Sequence, residues 1–268
     1  MSKRDVLPVL AAQVPIGALL EENLETIREA MREAAARGAE VVLFPETALT
    51  GYAPNIGRGR RPAEWPAIAQ ALAAIAELAR ELKLWTIVGS EAWDGQSWWN
   101  RLYVYSEEGQ LAATYDKVHL TADDTRYYQS GKRWVLFELK GIRAGLQICY
   151  DVRFPDGYRA LLDRGVEVIF QGFYGAGKDT WKVPVMGAHL RSRAAECGCF
   201  LVAANVAGPL QIVVSQIVDP MGLILAQANQ DRSELIQAEL KLERIAESFV
   251  REDYFQRFQA LHAQVKNA

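Results

Sequence analysis

Gly145-Leu146-Gln147-Ile148-Cys149-Tyr150-Asp151-Val152-Arg153-Phe154-Pro155 reads as an apolar strand, Ile142 to Ile148, that carries a cysteine to its C-terminal end. Phe154-Pro155 then opens a helix rich in Ala, Leu and Arg. In an open α/β sheet the strand ends are where a cleft forms. A helix starting just beyond supplies free N–H groups and a positive dipole that favour a thiolate or an oxyanion. On position alone, a catalytic thiol and a buried small hydrophobe are equally good readings of Cys149.

Working outward, the same alternation recurs on both sides. Leu7 to Val14 reads as a strand. Glu21 to Arg37 has the helical spacing of Leu24, Ile27, Ala30, Met31 and Ala34, closed by Gly38. Glu40 to Phe44 is a strand apolar on both faces that runs into Pro45-Glu46-Thr47. A helix over Pro66 to Leu82 and a strand over Trp85 to Gly89 follow, and Asn100 to Tyr105 with Gln110 to Tyr115 flank the hairpin signal Glu107-Glu108-Gly109. The second half repeats the pattern. Val135 to Leu139 and Ile142 to Ile148 form a hairpin, Asp156 to Arg164 a helix and Val166 to Gln171 a strand. Pro184 to Cys197 is helical, and Phe200 to Ala204 extended. Ile212 to Val218 with Leu223 to Ala226 make a late hairpin, Leu235 to Leu240 is a last strand and Glu252 to Val265 a last helix. Helices alternating with mixed strands imply an α/β layer sandwich. With no linker, repeat or charge run, residues 1–268 are expected to form a single domain.

Composition narrows the class of function. The 268 residues are half apolar, and a formal charge of -3 gives no reason to expect nucleic acid or an anionic membrane as partner. No apolar run reaches the roughly 20 residues that span a bilayer. Three cysteines make no disulfide framework and point to a reducing, cytoplasmic setting. The start, MSKRDVLPVLAAQVP, is interrupted by Pro8 and Gln13 and reads as a buried strand rather than a signal peptide.

A cysteine nucleophile needs a base for its proton and donors for the oxyanion that forms on attack. His119, His189 and His262 read as structural or surface histidines. What the chain offers instead are charges where apolar strands stop abruptly. Glu46 ends Phe44-Pro45-Glu46, and Lys117 ends Tyr115-Asp116-Lys117. With Cys149 they supply a base, an oxyanion-binding cation and a nucleophile.

FPETALTGY (from Phe44), YDKVHL (from Tyr115) and QICYDVRFP (from Gln147) resemble the three signature motifs of the nitrilase superfamily of carbon–nitrogen hydrolases, in that family's order. Weaker matches run from Ala11-Ala12-Gln13 through RSRAAE and AANVAG to DPMG. The resemblance implies a four-layer α-β-β-α sandwich of the nitrilase type, with Glu46 as general base, Lys117 as oxyanion stabiliser and Cys149 as nucleophile. The backbone N–H of Tyr150 would share the oxyanion. It also implies a homodimer or higher homo-oligomer, built through helices such as the one after the nucleophile. No cofactor or metal is expected. A nearby ammonium is expected to lower the thiol's pKa, and burial to raise that of a carboxylate.

The family usually carries a second glutamate between the lysine and the cysteine. There is none here from Val118 to Phe137. Anchoring on Tyr127-Tyr128 and Gly131 places Asp124 at that position, whereas counting forward from Lys117 places Thr125 there. We take Asp124, which keeps the charge but is one methylene shorter. By resemblance Tyr52, Arg153, Phe173 and Tyr174 line the substrate pocket, the arginine being suited equally to a substrate carboxylate and to holding the turn after the nucleophile. Arg58, Arg60 and Arg61 read as a solvated loop. Gly172 to Lys178 matches phosphate-loop spacing up to its lysine, but Asp179 replaces the hydroxyl residue and Pro184 interrupts the helix. Cys197-Gly198-Cys199 reads as a helix-to-strand junction. The favoured function is an amidase acting on a small amide, either short aliphatic or an ω-amide. An N-carbamoyl hydrolase, a nitrilase and a non-catalytic binding homologue are the alternatives.

Overall fold

The computed structural model describes residues 5–179 and 181–266. Lys3 and Arg4, ahead of the first strand, and the last two residues of the 1–268 span lie outside the described residues. In chain order the first half runs β1 (Val6–Gln13), α1 (Leu20–Ala36), β2 (Val41–Leu43), a short α2 (Ala53–Ile56), α3 (Trp65–Leu82), β3 (Trp85–Trp93), β4 (Trp98–Tyr105) and β5 (Leu111–Asp116). The second runs β6 (Leu136–Leu139), β7 (Ile142–Ile148), α4 (Pro155–Asp163), β8 (Val168–Phe173), α5 (Lys182–Cys197), β9 (Phe200–Asn205), β10 (Gln216–Val218), β11 (Ile224–Gln227) and β12 (Glu234–Lys241). Two helical segments, α6 (Phe249–Asp253) and α7 (Gln259–Lys266), close the described chain.

These strands build two six-stranded sheets, ordered β12-β1-β2-β3-β4-β5 and β11-β10-β9-β8-β7-β6. Each has a parallel centre, β1-β2-β3 and β7-β8-β9, extended by antiparallel strands. Period-two alternation splits the side chains of each sheet into two sets. Leu7, Val9, Leu43 and Ile87 of one sheet meet Leu146, Ile148, Phe170 and Val202 of the other in a shared core. Leu10, Val42 and Val88 face the opposite way, onto Ile27, Met31 and Ala34 of α1 and Ile68, Leu72 and Ile75 of α3. Ile169 and Leu201 likewise pack on Tyr158, Leu161 and Leu162 of α4 and Leu190 and Ala194 of α5. The result is the expected α-β-β-α sandwich.

Three boundaries differ from the sequence reading by more than two residues. β3 continues past Gly89 to Trp93, because it pairs residue by residue with β4 up to Trp93↔Trp98; Gly89 is an interior strand residue, not the strand's last. β10 begins only at Gln216, since ahead of it Ile212 N donates to Gly175 O, Val213 O accepts from Asn205 Nδ2 and Ser215 N donates to Gln13 Oε1. The last helix is interrupted by a π-turn at Tyr254–Phe258, where the buried Tyr254 ring anchors the segment and its hydroxyl donates to Asp163. The helix-to-strand junction at Cys197-Gly198-Cys199 forms as expected, with Gly198 left-handed at φ +53.

Three strand exits converge: β2 leads through Phe44-Pro45 to Glu46, β5 to Lys117 and β7 to Cys149. Two glycines make room for the first exit. A Cβ at Gly89 of β3 would lie 2.3 Å from Pro45 O and 2.4 Å from Thr47 N, and one at Gly172 of β8 would lie 2.9 Å from Glu46 N. Gly172 is itself registered against Ile148, beside the cysteine. Each sheet thus contributes a bare backbone against which the Glu46 turn is pressed. Gly89→Ala is expected to lower stability by about 1–3 kcal/mol through overpacking against backbone, read by urea denaturation. An unchanged midpoint would show that the turn is not held there.

Candidate active site

Lys117 is wholly buried, so its ammonium needs partners inside the protein. Its Nζ donates to Glu46 Oε1 at 2.7 Å and to Asp124 Oδ2 at 2.8 Å. Its backbone is fixed as well, since Lys117 N donates to Asn100 O and Gly131 N donates to Lys117 O. The preceding Asp116 is gripped by both arms of the Arg101 guanidinium at 2.6 and 3.0 Å. Burial alone would lower the lysine's pKa, but the Glu46 and Asp124 carboxylates reverse this and raise it well above the ordinary value.

Glu46 is also wholly buried. Its Oε1 accepts a second bond, from Asn100 Nδ2 at 2.7 Å, and its Oε2 accepts from Tyr174 N at 2.8 Å. The residue after it, Thr47, sits at φ +49, a conformation that β-branched side chains rarely adopt. Asp124 begins a single 3-10 turn, Asp124–Arg126. Besides Lys117, its carboxylate accepts from Tyr52 Oη at 2.6 Å and Thr121 N at 2.9 Å. Burial pushes the Asp124 carboxyl up, but Lys117 and these donors outweigh it and hold the group below its usual range. Thr125, the competing position, is exposed and donates to Ala122 O. Asp124, not Thr125, is the acid that reaches the lysine.

Cys149 is half-buried at φ +42, the first residue of a one-turn 3-10 helix, Cys149–Arg153. Backbone in this region costs about 1–3 kcal/mol and persists where its surroundings hold it. Here Asp151 does so. Its buried carboxylate accepts from Ile148 N at 2.9 Å, Tyr115 Oη at 2.8 Å and His119 N at 2.9 Å, and bonds His119 Nδ1 at 2.9 Å. Residues two beyond the cysteine and two beyond the lysine are therefore tied together. The expectation of a depressed thiol pKa is reversed: burial and the Glu46 carboxylate push Cys149 well above the ordinary value, and Lys117 offsets this only in part. The resting site holds a neutral thiol beside an ion-paired carboxylate.

The residues expected around the substrate separate into two groups. The Tyr52 and Tyr174 rings stack at 4.9 Å, Lys117 Nζ lies 5.9 Å from the Tyr52 ring centre, and Asn55 Nδ2 donates to Tyr174 Oη at 2.8 Å. A cleft of about 480 Å³ opens beside Tyr174 and Asn55, lined also by Ile16, Lys178, Val206 and Leu210. Tyr150 follows the cysteine in the 3-10 turn. Arg153 is held by His189 Nε2 at 3.2 Å and by the Trp181 face at 5.5 Å. Phe173 corrects the sequence reading. Strand alternation turns it to the helical side of β8, wholly buried among Val152, Tyr158 and Leu190, and away from the cleft that its neighbour Tyr174 lines.

Sequence reasoning passed over Asn100, Asp151 and Glu91. Each is a buried polar residue inside or just after an otherwise apolar strand, which is the signal that marks them. Arg58, Arg60 and Arg61 read as a solvated loop in the sequence. Arg58 and Arg61 conform, but Arg60 turns inward and bonds Glu91 Oε2 at 3.1 Å.

The carbon–nitrogen hydrolase family profile matches residues 9–248. The chain is similar to a 2-oxoglutaramate amidase of Bacillus subtilis, 30% identical over 231 residues that cover 80% of this chain and 83% of that one. It is also similar to a deaminated glutathione amidase of Bos taurus, 32% identical over 250 residues covering 84% and 74%. Among solved structures, a carbon–nitrogen hydrolase from Helicobacter pylori G27 shares the fold with a TM-score of 0.84 at 18% identity, covering 96% of this chain and 94% of that one. A mutant of the amidase from Nesterenkonia sp. AN1 shares it at 0.80 and 22%, covering 96% and 99%.

The hydrogen bond to Asp151 raises the pKa of His119 above its ordinary 6.5, against the effect of burial, with the Asp151 and Asp156 charges adding to it. The pair therefore stabilises the fold fully below the unfolded value and loses that contribution as pH rises through the folded one. His119→Gln is expected to lower Tm most near about pH 5.5 and least near about pH 9. A pH-independent difference would contradict this.

Proposed function

The chain belongs to the carbon–nitrogen hydrolase family, and from that premise we propose that it is an amidase converting a small amide to its acid and ammonia through a thioester on Cys149. The observation that carries this reading is the buried Lys117 shared by Glu46 and Asp124, at the same strand exits from which the cysteine projects. Glu46 takes the thiol proton as the sulfur attacks the amide carbon. The oxyanion that develops accepts from Lys117 and from the N–H of Tyr150; one such donor is worth about 3 kcal/mol. Collapse breaks the C–N bond, and Glu46 gives its proton to the departing nitrogen, which leaves as ammonia. Glu46 then takes a proton from water, whose oxygen attacks the thioester. The second collapse releases the acid and returns the proton to the cysteine sulfur. Each step moves one proton through one carboxylate, so no cofactor enters.

Asp124 takes the place of the second family glutamate: it orients Lys117 and balances its charge. The cleft of about 480 Å³ that Tyr174 and Asn55 line lies in the range of small-ligand sites and suits a short acyl group or an ω-amide. The relatives named for 2-oxoglutaramate and deaminated glutathione support amides that carry a carboxylate elsewhere. Arg153, its guanidinium oriented by His189 and Trp181, is the group we assign to such a carboxylate. His189 is kept neutral, its pKa lowered by burial and by the Arg193 and Arg153 charges, and so accepts from Arg153. We take residues 1–268 as one carbon–nitrogen hydrolase domain that works as a homodimer or larger homo-oligomer in the cytoplasm. Its free cysteines support that compartment, and no helix among the described residues is long and apolar enough to cross a membrane.

The test is ammonia release from a panel of short amides, ω-amides of dicarboxylates, N-carbamoyl acids and nitriles. Release from at least one amide is expected, with complete loss in Cys149→Ala and a fall of about tenfold or more in Asp124→Asn as Lys117 loses one counter-charge. Folded wild type inactive on every amide, or an active Cys149→Ala, would refute the reading.

A further inference from the structure

Glu91 lies on β3, buried, with no place in the steps above. An isolated carboxylate there would be costly, yet it is surrounded by donors. Its own N–H donates to Thr50 Oγ1 at 3.0 Å. Its Oε2 accepts from Arg60 Nε at 3.1 Å, and the Arg60 guanidinium, buried and paired also with Glu64 at 3.1 Å, donates to Thr50 O. Its Oε1 accepts from Tyr128 Oη at 2.7 Å, and the same hydroxyl accepts from Ala53 N at 3.3 Å. Both ends of the four-residue run 50–53 are thus fastened to one side chain. Tyr52, between them, donates to Asp124. Tyr128 is tied to that acid a second way, its N–H donating to Asp124 O at 2.9 Å.

We infer that Glu91 is a positioning residue: by bracing residues 50–53 through Arg60 and Tyr128 it sets Tyr52 against Asp124, and through Asp124 the direction of the Lys117 ammonium. The inference rests on the amidase reading and adds to it a pH dependence that originates away from the reacting atoms. The groups facing Glu91 are Arg60 and Glu64 from the loop and Tyr128 from the far side. Burial raises the Glu91 pKa to about 7, with Tyr128 and Arg60 pulling it back, so the brace titrates near neutrality. Arg60 has only donors, so an added proton goes to Oε1. The Glu91–Tyr128 bond then reverses, the Tyr128 hydroxyl accepts from both Glu91 and Ala53, and its own hydrogen has no partner. Arg60 loses a counter-charge at the same time. Activity therefore falls as pH drops through about 7.

The experiment compares wild type, Glu91→Gln and Tyr128→Phe in kcat and KM across pH, on whichever amide wild type hydrolyses, and in the rate of Cys149 alkylation by iodoacetamide. Glutamine mimics the protonated carboxyl. The expected result is an acid limb near pH 7 in wild type and, in Glu91→Gln, a flat profile at about one-tenth of the wild-type plateau kcat, with KM within about threefold. Tyr128→Phe, which keeps the Glu91–Arg60 pair but cuts the link to Ala53, lowers the plateau kcat and shrinks the limb to the part that runs through Arg60. A folded Glu91→Gln that keeps both the wild-type plateau and the acid limb would overturn the inference, as would a loss of Tm with an unaltered limb. Wild type inactive on all amides would fail the amidase reading instead, and the alkylation profiles would still decide for or against Glu91.

Discussion

A single buried ammonium organises this molecule. Lys117 has no water to solvate it, so it requires Glu46 and Asp124, and each of those is held by donors from elsewhere: Asn100 and Tyr174 for one, Tyr52 and Thr121 for the other. Losing one partner of such a buried group costs about 3–5 kcal/mol, because the remaining charge is left uncompensated. The site is therefore part of what holds the β2 and β5 exits and the loop after β5 together. The charges also set its chemistry. One cation already faces two carboxylates, so a thiolate would be a further negative charge without a counter-ion. The cysteine accordingly rests as a thiol, and its proton leaves only when an acyl carbon is there to receive the electron pair. This distinguishes the site from a thiolate–imidazolium pair, in which the nucleophile is ionised before substrate arrives.

The fold serves this arrangement by spending conformational strain at two points. Thr47 and Cys149 are left-handed, and each follows a strand whose neighbour is a glycine, Gly89 for the first and Gly172 for the second. A side chain at either glycine would push the Glu46 backbone away. Asp151 holds the second strained turn by hydrogen bonds to the strand end before it and to the segment carrying Lys117. The nucleophile and the cation are thereby positioned by one carboxylate that touches neither reacting atom.

Much of this was legible in the sequence because strand and helix periods are local signals. The alternating elements, the four layers and the strand exits at Glu46, Lys117 and Cys149 follow from where apolar runs stop at a charge. Asp124 needed the family's pattern as a ruler, since one position along the loop separates it from Thr125. What escaped depended on partners distant in the chain. Arg60 reads as loop charge until Glu91 is found behind it, and Asn100 reads as a strand end until Glu46 is set against it. Phe173 and Tyr174 differ only in strand parity and in where β8 stops. The thiol's pKa was misjudged because the sequence offered Lys117 as its neighbour without showing that two carboxylates had already claimed that charge.

The measurement that bears most directly on this account is the ultraviolet difference spectrum between wild type and Cys149→Ala, followed across pH without substrate. The account predicts no Cys149 thiolate band at neutral pH, its appearance being displaced above the ordinary thiol range of about 8.5. A thiolate band already present below about pH 7 in wild type and missing from the variant would contradict it, because the nucleophile would then be ionised at rest and Glu46 would have no proton to take.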